Sequence, residues 1–290
     1  MGAEGLLGGR YRLDHIAGHG GMATVFAAYD TVLDRTVAIK LLQRRRDESG
    51  VLHERFQREA KAEAKVVNPH VVSVHDVGES EDGRPYIVME YVEGQSFQQI
   101  IADEAPLSSE RVAMLGAGIA TSLAAAHAHG IVHRDVKPAN VIVDAQDSPH
   151  LMDFGLAREM WDEDPGLTAP GLLVGTAYYI APEQARHGTA SPAADLYSLG
   201  AVLYHALTGE PPFSGDGALD VTMRRFEEDA PDLRVVVPAA DSELVALIHA
   251  LLARDPADRP WDAATVAERL GDIGARLRAT RTAGEPQTPL

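Results

Sequence analysis

The rhythm of apolar and polar positions changes near residue 93. Before it, short β-branched or aromatic runs dominate: Tyr11–Ile16, Thr24–Tyr29 and Thr36–Leu42, joined by Gly-rich and Asp-containing turns, read as strands. The segment LHERFQREAKAEAKVV, residues 52–67, repeats Leu52, Phe56 and Ala60 at i, i+4, the stripe of an amphipathic helix that Asn68-Pro69 ends. Val71–Val77 and Tyr86–Tyr91 are two further strands around the turn segment SEDGRP.

Beyond residue 93 the pattern is helical. Pro106–His129 carries Val112, Leu115, Ile119 and Leu123 at helical spacing, although Gly116 and Gly118 lower its propensity. Asp195–Thr208 is apolar on nearly all sides and stops at Gly209, as a buried helix with a glycine C-cap would. Ser242–Ala253 and Ala263–Arg278 read as two more helices, and the apolar runs Val141–Val143 and Leu151–Met152 as a small hairpin. Residues 279–290, ending TRTAGEPQTPL, read as a disordered polar tail. The expectation is an α+β, bilobal chain: a small β-rich lobe with one helix over 1–92 and a larger, mostly helical lobe over 93–278. No internal repeat is present.

Composition narrows the function. The chain of 290 residues carries 26 basic against 43 acidic side chains, a net charge of −17, which argues against nonspecific nucleic-acid binding. It contains no cysteine, which excludes disulfides, thiolate nucleophiles and Cys-type metal sites. No apolar run approaches the roughly 20 residues of a membrane span, and MGAEGLLGGRYRL lacks the layout of a secretory signal. A cytoplasmic location is the expectation. Lysine occurs only at 40, 61, 65 and 137, so each one invites a reason.

Polar residues crowd most densely in IVHRDVKPANVIV, residues 131–143. A turn between strands favours Asp, Pro and Asn, but it has no need of His133, Arg134, Asp135, Lys137 and Asn140 within eight positions. Two oxygen donors, Asp135 and Asn140, bracket the cation Lys137; that suits a base and a metal ligand beside a charge stabiliser. Asp153, directly after a strand and before Phe154-Gly155, is a plausible ligand for a hard metal. Gly18-His19-Gly20-Gly21-Met22-Ala23 offers G-x-G-x-x-A, which alone is a weak phosphate-loop signal because Ala23 replaces the third glycine.

Taken in order, GHGGM, VAIK at 37–40, HRDVKPAN at 133–140, DFG at 153–155 and APEQ at 181–184 resemble the protein-kinase signature set, most of all that of bacterial eukaryotic-like Ser/Thr kinases. The resemblance covers residues 10 to about 275. It implies a chain that transfers the γ-phosphate of ATP to Ser or Thr of protein substrates, with Mg²⁺ and with Mn²⁺ as a substitute. Lys40 would contact the α- and β-phosphates and pair with a Glu on the first helix. Periodicity leaves Glu59 and Glu63 both open; the family's spacing from Lys40 favours Glu59, and Glu63 then falls where relatives carry an apolar residue.

Asp135 would accept the hydroxyl proton, Lys137 would stabilise the transferring group, and Asn140 and Asp153 would hold the metal. The resemblance places Gly18, Gly20, Gly21, Val25, Ala38 and Met89 around ATP, with backbone groups of Glu90 and Val92 meeting adenine. Glu183 and Arg259 resemble the family's buried ion pair, and Asp195 the residue anchoring the catalytic loop; the bland alternatives are a surface Arg259 and an N-cap at Asp195. Thr168 is the only hydroxyl between Leu156 and Gly175, so it would be the regulatory autophosphorylation site, with Arg134 pairing its phosphate. The resemblance also allows a homodimer through the small lobe, a contact that relatives can make. The rival readings are a pseudokinase scaffold, which would be expected to lose Lys40, Asp135 or Asp153, and a small-molecule phosphotransferase, against which the GTAYYIAPEQ segment argues.

Overall fold

The structure is a computed structural model that describes residues 5–19, 23–43, 57, 60–154, 177–188, 190–215, 217–260 and 262–284. The described residues form two compact units, one ending at Glu93 and the other beginning at Gly94.

The first unit is a six-stranded antiparallel sheet of order β1-β2-β3-β4-β6-β5, with β1 Leu6–Leu7, β2 Tyr11–His19, β3 Ala23–Asp30, β4 Arg35–Leu42, β5 Val74–Glu79 and β6 Pro85–Glu90. Alternation along β3, β4 and β6 sends Ala28, Val37, Ile39, Leu41, Tyr86 and Val88 to one face, where they pack with Tyr11 as a buried cluster. β2 runs three residues past the expected Ile16, through two register shifts. Its second half is largely exposed, so pairing to β3, rather than a buried stripe, carries it on. The turn from β3 to β4 is built on Asp30, which is 1% exposed. Its carboxylate accepts from the Val32 and Leu33 amides and takes both Nε and Nη2 of Arg10, at 2.8 and 2.6 Å. The Arg10 guanidinium holds the Asp30 carboxyl well below the usual range. Of the helix expected over 52–67, Gln57 and residues 60–63 are helical, residues 64–67 are turn and coil, so the helix ends before it reaches Asn68-Pro69, and Leu52 and Phe56 lie outside the described residues.

The second unit contains β7 Gly94–Ser96, β8 Val141–Asp144 and β9 Pro149–Leu151 in one small sheet. Its helices are α1 Phe97–Glu104, α2 Ser109–Ala128, α3 Pro182–His187, α4 Pro192–Thr208, α5 Ala218–Glu227, α6 Leu233–Val236, α7 Ser242–Leu251 and α8 Ala263–Gly284. α4 is buried almost throughout and ends at Gly209, whose φ of 86° suits glycine alone at little cost. Gly116 lowers helix propensity for a reason visible here. A Cβ at that position would lie 2.8 Å from Leu203 Cδ2 and 3.1 Å from Leu270 Cδ1, so the glycine lets α2, α4 and α8 approach closely.

One expectation is corrected. The chain beyond Arg278 is not a tail from residue 279, because α8 continues to Gly284. Glu110 on α2 accepts from Arg278 Nε at 3.2 Å and Arg281 Nε at 2.9 Å, which ties the polar last turns down. Composition signals disorder for this stretch, but the tethers are to a residue about 170 positions away and leave no local pattern.

Candidate active site

Register on the first sheet gathers one group of expected residues. Gly18 lies opposite Val25, Val25 opposite Lys40, and Ala38 opposite both Ala27 and Met89. Directly opposed residues of an antiparallel sheet share a face, so Gly18, Val25, Ala27, Ala38, Lys40 and Met89 occupy the side away from the buried cluster. That face is small and apolar with one cation, which fits a flat base and a phosphate. A Cβ built at Gly18 would meet nothing closer than Val25 Cβ at 3.9 Å, so the sheet leaves room there. Ala23 is buried in β3 opposite Leu42. The Glu90 amide donates to Ser73 O at 2.9 Å, so the backbone group it can offer a base is its carbonyl. Val92 follows β6, half-buried. Gly20, Gly21 and Glu59 lie outside the described residues; Glu63 is described and buried.

The second unit gathers the rest around the 133–140 loop. His133 is fully buried, its ring 4.7 Å from that of Phe154. Burial pushes its pKa down, which favours the neutral ring. The Asp135 amide points to His133 Nδ1 at 3.3 Å, so Nδ1 is the acceptor and Nε2–H donates to Met152 O at 3.1 Å. Lys137 Nζ lies 2.6 Å from Asp135 Oδ2. Asn140 Nδ2 donates to Asp135 O at 2.8 Å, which leaves Asn140 Oδ1 as the atom able to ligate. Asn140 and Asp153 flank the paired residues Val141 and Leu151, and Met152 N donates to Asn140 O at 3.0 Å. Oxygen donors of this kind, an amide from Asn140 and a carboxylate from Asp153 with the Asp135 carboxylate adjoining Asn140, are the type a hard divalent cation takes.

Asp195 organises this loop from α4. Its Oδ1 accepts from Arg134 N and its Oδ2 from His133 N, both at 2.8 Å, and His127 Nε2 donates to Oδ2 at 2.8 Å. It does not cap its helix; Ser191 does, accepting from Ala194 N. Arg134 is held at φ 68°, a left-handed conformation that an L-residue adopts at a cost of roughly 1–2 kcal/mol. Its carbonyl accepts from Gln184 Nε2 at 3.0 Å.

Behind the loop, the Arg259 side chain is wholly buried and makes five hydrogen bonds. Nη1 and Nη2 reach Glu183 Oε1 and Oε2 at 2.6 and 2.8 Å, and the others go to the carbonyls of Ala193, Ala253 and Arg254. Its guanidinium also covers the Tyr197 ring at 5.0 Å.

Sequence reasoning passed over three partners. Gln184 and His127 carry no spacing signal, since their targets are a backbone carbonyl and a carboxylate distant in sequence. Arg225, beside Arg224 on α5, is fully buried, with Nη2 donating to Ala177 O and the Tyr197 and Phe213 rings alongside. Its Nε and Nη1 meet no acceptor among the described residues, and burial lowers its pKa. Thr168 and Gly155 lie outside the described residues.

Comparison with known proteins bears on this arrangement directly. The family model described as protein kinase domain matches residues 11–269. The serine/threonine-protein kinase PknB of Mycobacterium tuberculosis is 40% identical over 261 residues, 89% of this chain and 42% of that protein. The probable serine/threonine-protein kinase PknB of Lactococcus lactis is 36% identical over 277 residues, 95% of this chain and 43% of that protein. The chain therefore spans about two fifths of the length of these relatives. A crystal structure of the M. tuberculosis PknI kinase domain superimposes with a TM-score of 0.72 at 26% identity, covering 95% of this chain and 99% of that one. A six-stranded sheet bearing Lys40, an HRD loop anchored by Asp195, and a sequence match across nearly the whole length carry one conclusion: the chain belongs to the protein kinase family.

Proposed function

We propose that this chain is a serine/threonine protein kinase that transfers the γ-phosphate of ATP to hydroxyls of protein substrates. The observation that carries the reading is the cluster of Asp135, Lys137 and Asn140, joined by bonds of 2.6 and 2.8 Å on a loop pinned by Asp195. The printed names of the curated relatives support the Ser/Thr preference. In this reading Asp135 orients the incoming hydroxyl and receives its proton as the new O–P bond forms and the bond from the γ-phosphorus to the β,γ-bridging oxygen breaks, releasing ADP. Lys137 offsets negative charge on the transferring group, and Lys40, paired with Glu59, holds the α- and β-phosphates. Bound Mg²⁺, or Mn²⁺ in its place, would neutralise phosphate charge, held by Asn140 and Asp153. The sheet face of Gly18, Val25, Ala38 and Met89 takes the nucleotide, Gly20 and Gly21 also serve ATP binding, and the backbone of Glu90 and Val92 meets the base. Glu183–Arg259 and Asp195 support the loop.

Activation proceeds by autophosphorylation at Thr168, whose phosphate pairs with Arg134. Two copies associate through the small lobe; exposed Val32 and Leu33, at 69% and 54%, favour such a contact. A Val32→Glu variant with unchanged sedimentation would remove that last idea. The lobes are taken as 1–92 and 93–278, and the location as cytoplasmic; no helix among the described residues is long and apolar enough to cross a membrane.

Phosphoamino-acid analysis of a labelled protein substrate tests the assignment. Label on Ser and Thr alone is expected; label on Tyr, or transfer confined to small-molecule acceptors, would overturn it.

A further inference from the structure

We infer that Gln184 is a positioning residue for the proton acceptor, clamping the Arg134–Asp135 peptide group from its carbonyl edge. The inference rests on the role given above to Asp135. That peptide has two polar atoms. Its N–H, belonging to Asp135, points to His133 Nδ1 at 3.3 Å. Its carbonyl, belonging to Arg134, accepts from Gln184 Nε2 at 3.0 Å. Only the amide NH₂ end of Gln184 can meet a carbonyl, so chemistry dictates the orientation of the side chain. Gln184 is 5% exposed, which keeps water from competing for the bond.

The clamp acts where the backbone most needs it. Arg134 sits at φ 68°, and Asp195 Oδ1 already holds its N–H at 2.8 Å. With the amide of Arg134 fixed, the remaining freedom is rotation of the following peptide plane about ψ of Arg134 and φ of Asp135. His133 and Gln184 grip that plane at opposite edges. The Asp135 carboxylate springs from the Cα next to it, so its bond to Lys137 inherits the plane's orientation.

The origin of the grip matters as well. Gln184 follows Glu183 on α3, and Arg259 holds Glu183 through two bonds. α3 is the first described helix after the stretch that contains Thr168. One side chain thus links α3 to a peptide flanked by Arg134, the proposed phosphate reader, and Asp135.

Steady-state kinetics of the whole chain, with peptide and ATP varied separately, test the clamp in Gln184→Met and Gln184→Glu, with Asp135→Asn in parallel. Gln184→Met keeps the volume and removes the donor; kcat should fall about tenfold, with both KM values within about twofold. Gln184→Glu can donate only as the neutral acid, so its kcat relative to the parent should decline from about pH 6 to 8. Met and Glu variants with the parent's kcat and pH profile would overturn the inference. Should Gln184→Met fail to fold, Gln184→Glu decides alone: kcat at least about tenfold below the parent at pH 8 with both KM values kept supports the clamp, and the parent's kcat across pH 6 to 8 refutes it. Activity surviving in Asp135→Asn would instead refute the role of Asp135 itself.

Discussion

Replacing Arg259 by Met should destabilise the protein more than any exposed charge change. Five hydrogen bonds disappear, and what stays behind is the Glu183 carboxylate, 20% exposed, with the carbonyls of Ala193, Ala253 and Arg254. Breaking a buried pair from one side costs about 3–5 kcal/mol, mainly because the abandoned charge stays desolvated. A domain of this size shifts by about 2–4 °C per kcal/mol, so the Tm should drop by roughly 6–20 °C. Glu183→Gln is gentler. It keeps one acceptor for Arg259, whose three carbonyl bonds persist, and should cost about 2 kcal/mol. Glu183→Met combined with Arg259→Met removes both charges and should recover about 1–2 kcal/mol of the single Arg259→Met loss. Urea unfolding with m-values checked for constancy measures all three. If Arg259→Met and Glu183→Gln both cost less than about 1 kcal/mol, the pair is a surface-type bridge and the reasoning fails.

Three other outcomes follow from the structure. The Asp30 pKa is depressed, so its stabilisation is complete above the unfolded carboxyl value near 4 and is lost as pH falls below it; acid titration should show a shallower loss for Asp30→Asn than for the parent, and equal slopes would contradict the pairing. Ala23 is a buried strand residue opposite Leu42, so Ala23→Gly should change ATP affinity little while Gly20→Val weakens it clearly, and ATP titration giving the reverse order would displace the loop assignment. Phosphopeptide mapping of active enzyme should find Thr168 modified, and an unmodified Thr168 would end that proposal.

Much of the fold was legible because burial writes a period into the chain. β3, β4 and α4 read correctly to within a few residues, since each has a face or a surround that water does not reach. α1 and α5 escaped because they are short, at 8 and 10 residues, so neither repeats its apolar stripe over many turns, and α5 displays Leu219 and Met223 to solvent. The site was legible where types and spacing are local, as in 133–140. It was not legible where a side chain serves a distant backbone atom. Asp195 opens an apolar helix, a position equally suited to capping; only the amides of His133 and Arg134 reveal which role it has. Gln184 and Arg225 are similar, one spent on a carbonyl 50 residues away and the other on one 48 residues away. Gly116 carries a contact with Leu203 and Leu270 that no helical propensity encodes.

The most direct measurement is transfer of labelled γ-phosphate from ATP to a generic protein substrate, with Asp135→Asn prepared alongside. Asp135 lies 2.6 Å from Lys137 and shares its peptide with the Gln184 clamp, so removing its carboxylate charge should take the proton acceptor away without unfolding the loop. The account predicts robust incorporation on Ser and Thr by the parent and loss of about three orders of magnitude in the variant, with its Tm little changed. Incorporation that survives Asp135→Asn at the parent's rate would contradict it.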